Sequence, residues 1–580
     1  MHNSIALVGS GPTAIYTLRG LIASTRPLAI TVFEKEAVAG KGMPYHPAVN
    51  DRAMLANIAS IEIPPIRETL ADWLHRQSDG ELDRLRVTRA AITDRAFFPR
   101  VVLGAYFKAQ FDRLVEEGRA SRHVIEVKAG QEVTDMALGV DDIRLTVERP
   151  DRSSGQPPEH YAFDHVVMAT GHSFSDVIEV KPGYFASPWP SSLLKTIPAA
   201  RVGILGTSLS AIDAMVTVAT RHGSFYHDEA GLLEFQPARE ADDLHITLMS
   251  RKGMLPEADF YFAIPYEPLS ICTEAAVDAL VETGARDLLD RVFELFVREL
   301  SAADLDYAAR IGLSQLTVET VGPAYFAERE AHDPFVWAAL NLAEARQNYE
   351  TRTTIAWRYA ILRMHEVVAR VVPHLDSRDL QRFHRHFKTL FVDNYATVPH
   401  ASIERLLALR RAGMLDVLAL GPDYALDTDT VERGALVTFD DGQLQFDAFI
   451  DATGQGRLSA ADIPFPGLIR QGVVGKARVR SGDQVLLAAD GQSREEEAGG
   501  VRLDACYRLQ FDQPLCRRIY CLALPFLLHQ FPFIQGITSS AELGETVSQA
   551  ILTDIADPRG AAGFDGDGPE TERKPVLLLS

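Results

Sequence analysis

Gly9 and Gly11 have the spacing of a turn that brings backbone close to a phosphate group. They stand in the run Gly-Ser-Gly-Pro-Thr-Ala, directly after the apolar residues 5–8. The first glycine permits a sharp bend, the second allows close approach to a pyrophosphate, and the small Ala14 lets the following helix pack on the strand. The alternative is a glycine turn in an α/β domain without a ligand. The predicted dinucleotide contacts are Gly9, Gly11, Pro12, Thr13 and Ala14.

A carboxylate at the end of the next predicted strand indicates which dinucleotide fits this turn. The strand is expected over residues 30–34, which places Glu34 25 residues after Gly9. A carboxylate there accepts hydrogen bonds from ribose hydroxyls and repels a 2′-phosphate. Glu34, with Lys35 beside it, therefore predicts FAD or NAD at the first site and disfavours NADP.

A second turn, Gly-Thr-Ser-Leu-Ser-Ala, starts at Gly206 after the predicted strand 201–205. Ser208 stands where the middle glycine is expected, so this fingerprint is weaker. The next predicted strand, 244–249, runs into Ser-Arg-Lys, and a hydroxyl with two cations suits a 2′-phosphate. A solvated strand end is the alternative. NADPH is the predicted second nucleotide, with contacts from Gly206, Ser208, Ser210, Arg251 and Lys252.

Two apolar segments end in the same tripeptide, Ala-Thr-Gly, at residues 164–171 and 447–454. Strands that stop at small residues are needed where a chain leaves a sheet beside a bound dinucleotide. Each segment alone could also be a buried strand that ends in a glycine turn. The residues predicted to contact cofactor here are Thr170, Gly171 and Gly454.

These motifs require strands and helices in a definite order. Strand, glycine turn, helix and strand occur twice, and apolar residues at helical spacing follow from Leu288 onward. We therefore expect an α/β protein with two Rossmann-like dinucleotide-binding domains, for FAD and NADPH, and a helical insert. The predicted boundaries are 1–174 for the first part of the FAD-binding domain, 175–275 for the NADPH-binding domain, 276–415 for the helical insert on the substrate side, 416–556 for the second part of the FAD-binding domain and 557–580 for a flexible tail.

The overall charge disfavours two classes of partner. The chain has 58 Lys and Arg against 79 Asp and Glu, a net charge of −21, which repels nucleic acid and anionic lipid. No apolar run is long enough to cross a membrane, and no signal peptide is recognisable. The four cysteines lack metal-ligand or CxxC spacing, so we expect buried thiols of a cytoplasmic protein and no metal.

The order of the motifs resembles that of the two-dinucleotide flavoproteins, in particular the flavin-containing and N-hydroxylating monooxygenases. The segments 40–45, 55–57, 98–100 and 250–253 look like those of the bacterial FAD/NAD(P)-binding family that includes the aspartate N-monooxygenases, which form nitrosuccinate. The resemblance covers the chain to about residue 555. It implies further FAD contacts from Gly42, Met43 and Asn57.

The same resemblance implies a role for the last predicted helix. In flavoproteins of this layout a helix N-terminus faces the flavin pyrimidine ring, where backbone N–H groups stabilise negative charge on the reduced flavin. The alternative is a plain helix with its N-cap at Ser539 or Ser540. The residues expected to face the flavin are Gln535, Gly536, Ile537 and Thr538.

The activity that the resemblance implies is a monooxygenation. NADPH reduces FAD, the reduced flavin reacts with dioxygen to a C4a-(hydro)peroxyflavin, and a small amine or amino acid is N-hydroxylated. Arg100 is the candidate for a cation near the flavin or a substrate carboxylate, and a structural ion pair is the alternative. Two other functions remain open: an NAD(P)H-dependent flavin oxidoreductase without oxygen insertion, and a flavin redox sensor or scaffold.

Overall fold

The computed structural model describes residues 3–150, 157–171, 177–284, 286–454, 458–480, 495–511, 513–534 and 536–556. The elements up to residue 168 are β1 (Asn3–Val8), α1 (Pro12–Leu21), β2 (Leu28–Glu34), α2 (Leu70–His75), α3 (Asp79–Leu85), α4 (Arg100–Ala120), β3 (Val124–Ala129), β4 (Glu132–Leu138), β5 (Ile143–Glu148), β6 (Glu159–Phe163) and β7 (His165–Met168). The next segment contains β8 (Glu179–Lys181), β9 (Tyr184–Phe185), α5 (Ser191–Leu194), β10 (Arg201–Leu205), α6 (Leu209–Arg221), β11 (Gly223–His227), β12 (Leu233–Pro237) and β13 (His245–Ser250).

A helical region follows. It comprises α7 (Glu274–Glu282), α8 (Leu288–Ala303), α9 (Leu305–Arg310), α10 (Val321–Glu330), α11 (Pro334–Thr351), α12 (Ala356–Ala369), α13 (Ser377–Arg382) and α14 (Lys388–Tyr395). The remaining elements are α15 (His400–Arg411), β14 (Leu415–Ala419), β15 (Ala425–Asp427), β16 (Ala435–Phe439), β17 (Gly442–Phe446), β18 (Ala448–Asp451), α16 (Pro466–Arg470), β19 (Lys476–Arg480), β20 (Glu495–Val501), β21 (Ile519–Cys521), α17 (Leu524–Leu527) and α18 (Gly536–Ala556).

The first sheet is parallel and has the strand order β21-β7-β1-β2-β3. Its strands β7 and β1 carry buried apolar residues on both faces, as a sheet covered on both sides requires. Ile5 and Leu7 of β1 pack towards α1, α4 and α18. Ala6 and Val8 point the other way, towards the antiparallel sheet β4-β5-β6. This sheet and its helices form the first Rossmann-like unit.

The second sheet has the order β14-β13-β10-β18-β9-β8, and it is parallel except for the pair β8 and β9. Helices α6 and α15 contribute to the core on one face, where Ile212 and Leu406 are buried. On the other face, Phe446 and Phe449 pack in a cluster with residues of β16. The α/β fold with two Rossmann-like units and a helical insert is therefore confirmed.

The predicted boundary at residue 416 is wrong. Strands β14 and β18 both lie in the second sheet, where β14 pairs with β13 and β18 pairs with β10. The second Ala-Thr-Gly strand therefore belongs to the second unit and not to the first. The chain has returned to the first unit by α16, because the Gly467 N–H donates to Oδ1 of Asp135 in β4 at 2.5 Å. Strand β21 then completes the first sheet.

The helical region has a core of its own, formed by residues such as Val292, Phe296, Ile361 and Phe387. It comprises α7 to α14, of which α11 also packs on the second sheet through Phe335 and Leu342, as α15 does through Leu406. The whole region lies in the chain between β13 and β14, two neighbouring strands. The chain leaves the second sheet after Ser250 and rejoins it at Leu415, the partner of Ile246, so this region crosses from one edge of the sheet to the other.

Candidate functional site

The first glycine turn has a conformation that only glycine adopts without strain. Gly9 has φ +104°, and its N–H donates to Phe33 O at 2.9 Å. A Cβ on Gly9 would lie 2.3 Å from Ala169 O, in the first Ala-Thr-Gly segment. The turn and the end of β7 are therefore in direct contact, which confines Thr170 and Gly171 to the same edge of the sheet. Both of these residues are exposed there.

Gly11 and Gly42 approach each other closely at the N-terminus of α1. Gly11 is the N-cap of this helix, and no side chain caps it. A Cβ on Gly42, which has φ +75°, would lie 2.9 Å from Pro12 Cδ and 3.0 Å from Gly11 Cα. Met43 follows in a short 3-10 turn. A helix N-terminus with uncapped N–H groups beside two glycines is a site that suits a pyrophosphate.

The carboxylate of Glu34 is held at the end of β2. Its Oε2 accepts a hydrogen bond from Ser10 Oγ at 2.5 Å, and its Oε1 accepts one from the Glu36 N–H at 3.0 Å. The Ser10 N–H also donates to Oε2 at 3.2 Å, and since a carboxylate has about four acceptor positions, about one remains for a ribose hydroxyl. Lys35 is exposed next to it. Asn57 Oδ1 is buried and has no hydrogen-bond partner among the described residues, which leaves an acceptor for a bound group.

Helix α18 begins beside the first glycine turn. Thr13 Oγ1 donates to Ser540 Oγ at 3.1 Å, and a Cβ on Gly544 would lie 2.6 Å from the Thr17 nitrogen. The alternative N-cap at Ser539 or Ser540 is wrong, because the helix starts at Gly536 and Ser540 Oγ donates to Gly536 O at 3.0 Å. Gly536 and Thr538 are exposed. The Ile537 side chain belongs to the core, and Gln535 lies outside the described residues.

The second unit repeats the geometry of the first. The Gly206 N–H donates to Met249 O at 2.6 Å, and a Cβ on Gly206 would lie 2.9 Å from Ala452 O. Gly206 has φ +128°. Each glycine turn is thus packed against its own Ala-Thr-Gly segment, and Gly454 lies in the second unit. Ser208 is the N-cap of α6 without a side-chain hydrogen bond, and Ser210 is in the first turn.

The two units differ at the residue that ends their second strand. Ser250 occupies the place of Glu34, because each pairs with the last residue of the third strand, Ala419 and Ala129 respectively. Arg251 is exposed beside it. Lys252 already has a partner, since its Nζ lies 2.5 Å from Glu330 Oε1. A 2′-phosphate would therefore meet one exposed cation and one cation that must exchange its partner.

Arg100 begins α4 and forms an ion pair between the two units. Its Nη2 lies 2.8 Å from Asp213 Oδ2 on α6, and the two side chains are 16% and 8% exposed. Burial raises the pKa of Asp213, although the Arg100 charge opposes that shift. The structural ion pair, the alternative to a catalytic cation, agrees with this geometry.

Family comparisons place the chain among known proteins. A family model described as FAD-NAD(P)-binding matches residues 6–173, and one described as the YdhS-like middle domain matches residues 273–395. The uncharacterized protein YdhS of Escherichia coli (strain K12) is 42% identical over 561 residues, which cover 97% of this chain and 99% of that protein. The chain belongs to the YdhS family. The prediction of FAD and a nicotinamide dinucleotide as cofactors is confirmed, and residues 273–395 of the helical region are the YdhS-like middle domain.

The chain is also similar to several solved structures, at low identity and with TM-scores below 0.5. The ornithine N-hydroxylase of Kutzneria sp. 744 is 14% identical, with 96% of this chain and 100% of that chain covered and a TM-score of 0.44. The bacillithiol disulfide reductase of Bacillus cereus is 12% identical, with 95% and 99% covered and a TM-score of 0.41. Cyclohexanone monooxygenase in its open form is 15% identical, with 96% and 89% covered and a TM-score of 0.43. Among the described residues, no helix of this YdhS-family chain has the length and apolar character needed to span a bilayer.

The YdhS-like middle domain packs next to the start of α18. Phe533, three residues before Gly536, is 8% exposed and belongs to the middle-domain core. Its ring lies 5.5 Å from that of Phe391 and 5.8 Å from that of His365. The middle domain is therefore adjacent to the helix N-terminus that we expect to face the flavin.

A pair of acids at this junction was not found from the sequence. Burial, and then the negative charge of Asp259, raise the pKa of Glu62 in the first unit. Asp259, 8% exposed, lies between β13 and α7, and its carboxylate accepts hydrogen bonds from Tyr349 OH and from Thr397 Oγ1. The usable signal was an acid flanked by apolar residues, as in Ile-Glu-Ile and Asp-Phe-Tyr-Phe.

A third acid borders the same junction from α18. Crowding by surrounding protein atoms, and then the charge of Glu366 on α12, raise the pKa of Glu542 to about 7, although its side chain keeps contact with solvent. The described cysteines form no disulfide, and burial raises the pKa of Cys272, Cys516 and Cys521. Among these residues no two cysteines form a disulfide that could exchange electrons with a flavin.

Proposed function

We propose that this YdhS-family chain is an NADPH-consuming, FAD-dependent monooxygenase that N-hydroxylates a small amine or amino acid. The observation that carries the proposal is the repeated glycine turn with opposite chemistry at the ribose end, Glu34 in one unit and Ser250 with Arg251 in the other. An acid suits the free ribose hydroxyls of FAD, and a hydroxyl with a cation suits the 2′-phosphate of NADPH.

The residues around the first turn divide the work of holding FAD. The uncapped N-terminus of α1 would take the pyrophosphate, Glu34 would take a ribose hydroxyl, and the first turn of α18 would offer backbone N–H groups that stabilise charge on a flavin. Bound FAD supplies hydride acceptance and oxygen activation. The protein contributes binding, orientation and the electrostatic surroundings.

The amine class is supported by the acids at the junction. Glu62 and Asp259 lie between the first unit and the middle domain, and each carboxyl has a raised pKa because of burial. A protonated amine would stabilise both carboxylates, since an opposite charge favours the ionised form. Arg95 already provides one such charge near Glu62. The Arg95 guanidinium also lies 4.5 Å from the centre of the Tyr261 ring.

The test uses FAD-loaded protein and NADPH with a panel of amines and amino acids, aspartate first. Oxygen consumption, peroxide release and product mass are measured together. The proposal expects one amine to suppress peroxide release while a product heavier by one oxygen atom appears. NADPH oxidation that runs at full rate without oxygen once a quinone or dye is supplied, with no oxygenated amine, would favour the oxidoreductase without oxygen insertion. Flavin reduction without turnover would favour a redox sensor or scaffold.

A further inference from the structure

A cavity of about 150 Å³ lies between the second sheet and the middle domain. It opens at the ends of β13 and β14, where the chain runs through Lys252 and Leu255 on one side and Ala419 on the other. The opposite wall comes from α10, α11 and the loop between them. The residues of that wall that matter here are Arg329, Glu330, His332 and Trp337.

Comparison of the two Rossmann-like units indicates which part of a dinucleotide this cavity would bind. In the first unit a groove of about 490 Å³ lies at the ends of β2 and β3, beside Val127, Ala129 and helix α4. The second unit places Val417 and Ala419 of β14 at the corresponding positions of its cavity. Ligands of such sheets bind outside the carboxyl ends of the strands, with the adenosine ribose at the end of the second strand. Both openings are therefore on the adenosine side of a dinucleotide.

The wall of the second cavity comes from the middle domain for a topological reason. In each unit the wall belongs to the segment that connects the second strand to the third. In the first unit this segment contains α4, and in the second it contains the whole region α7 to α15. The helix directly before the third strand is α4 in the first unit and α15 in the second, so the middle domain is an insertion in this segment that lines the second cavity with α10 and α11.

The side chains around the cavity suit a phosphorylated adenosine. Arg329 is 8% exposed, and its Nε has no hydrogen-bond partner among the described residues, while its Nη1 lies 2.7 Å from Asp393 Oδ1. Lys252 Nζ lies 2.5 Å from Glu330 and 4.5 Å from the centre of the Phe326 ring. The rings of His332 and Trp337 are 5.3 Å apart and line the same cavity. Cations and aromatic faces are the groups that bind phosphate and a base.

We propose that the middle domain forms one wall of the 2′-phosphoadenosine subsite, an inference that rests on the proposed use of NADPH. The 2′-phosphate replaces Glu330 as the partner of Lys252, and the adenine packs against His332 and Trp337. Glu330 is then a competitor that weakens NADPH binding, because it both occupies Lys252 and repels the incoming phosphate.

The test is calorimetric titration of FAD-loaded protein with 2′,5′-ADP and with 5′-AMP, which needs no turnover. Glu330→Gln frees Lys252 and removes a negative charge, so it should tighten 2′,5′-ADP binding about two- to fivefold and leave 5′-AMP unchanged. Glu328→Gln is the matched control, because Glu328 lies on the same helix and pairs with Arg310 at 3.1 Å, away from the cavity. His332→Ala should loosen both probes about two- to fivefold.

The outcomes separate the inference from the proposed function. If Arg251→Met weakens 2′,5′-ADP while Glu330→Gln and His332→Ala change nothing, the middle domain has no share in the subsite and the use of NADPH stands. If 2′,5′-ADP binds the wild-type protein no better than 5′-AMP, the assignment of NADPH fails and the inference falls with it. If Glu330→Gln tightens 2′,5′-ADP binding no more than Glu328→Gln does, the proposal that the 2′-phosphate replaces Glu330 at Lys252 is also wrong.

Discussion

Replacing Arg100 by methionine separates its two possible roles. The change removes one partner of an ion pair whose atoms are 2.8 Å apart and whose side chains are 16% and 8% exposed. Loss of one partner from a buried pair costs about 3–5 kcal/mol, because the other charge stays buried without compensation. Arg405, whose charge also acts on Asp213, offsets part of the loss. We therefore expect a decrease of about 3 kcal/mol in the free energy of unfolding.

The size of the effect should depend on pH. Burial raises the pKa of the Asp213 carboxyl in the folded protein above its value in the unfolded chain. Between these two pKa values the folded carboxyl keeps a proton that the unfolded carboxyl has released. Stability therefore falls as the pH rises from the unfolded value towards the folded one. Arg100→Met raises the folded pKa further, so the deficit against wild type should be larger at pH 8 than at pH 5.

The assay is urea unfolding of the FAD-loaded protein, followed by far-UV circular dichroism and flavin fluorescence. Arg100→Met, Asp213→Leu and the double variant form a cycle, and the double variant should recover most of the lost stability. A loss below about 1 kcal/mol with no coupling would refute the structural ion pair. If Arg100→Met keeps its stability but loses turnover, while Asp213→Asn keeps turnover, Arg100 is the catalytic cation.

Three further changes test the rest of the site. Gly9→Ala should yield colourless protein, because its Cβ would lie 2.3 Å from a carbonyl oxygen. The control Gly80→Ala, with nothing within 4 Å of its Cβ, should keep its flavin. The measurement is flavin absorbance per mole of protein. Neutralising Arg251 and Lys252 together should raise the apparent KM for NADPH about tenfold and leave that for NADH unchanged, and equal changes would contradict a 2′-phosphate contact. Burial raises the pKa of Glu62, so this residue makes the fold less stable as the pH rises above the pKa of Glu62 in the unfolded chain. The gain in Tm from Glu62→Gln should therefore be larger at pH 8 than at pH 5. Tm curves of the two proteins that run parallel with pH would contradict the raised pKa.

The features that could be predicted from the sequence are those that depend only on residues close by in the chain. A glycine turn needs only the strand before it and the helix after it, so Gly9, Gly11 and Gly206 could be assigned from their local pattern. The positive φ of Gly9 and Gly206 and their contacts with Ala169 and Ala452 agree with the close packing expected of such turns. Local pattern was enough for the fold class and for the two Rossmann-like units.

The membership of β18 could not be predicted in the same way. Its Ala-Thr-Gly ending is the same as that of β7, and only pairing with β10, more than two hundred residues earlier in the chain, assigns it to the second sheet. The ion-pair partners of Lys252 and Arg100 could not be predicted for the same reason. Glu330 and Asp213 are ordinary acids in the sequence, and only the packing of whole elements brings them within 2.5 Å and 2.8 Å of these cations.

The order of the strands has a consequence for biosynthesis. The strands of the second sheet all lie between residues 179 and 451, whereas the first sheet begins at Asn3 and needs β21, which starts at Ile519. Its α1 also needs α18, whose Gly544 meets the backbone of α1. On the ribosome the second unit can therefore close first, while the apolar face of α1 waits for a partner made more than five hundred residues later. A nascent chain halted before Gly536 would hold a complete second unit beside an incomplete first unit, so we expect the first unit to bind its dinucleotide only late in synthesis.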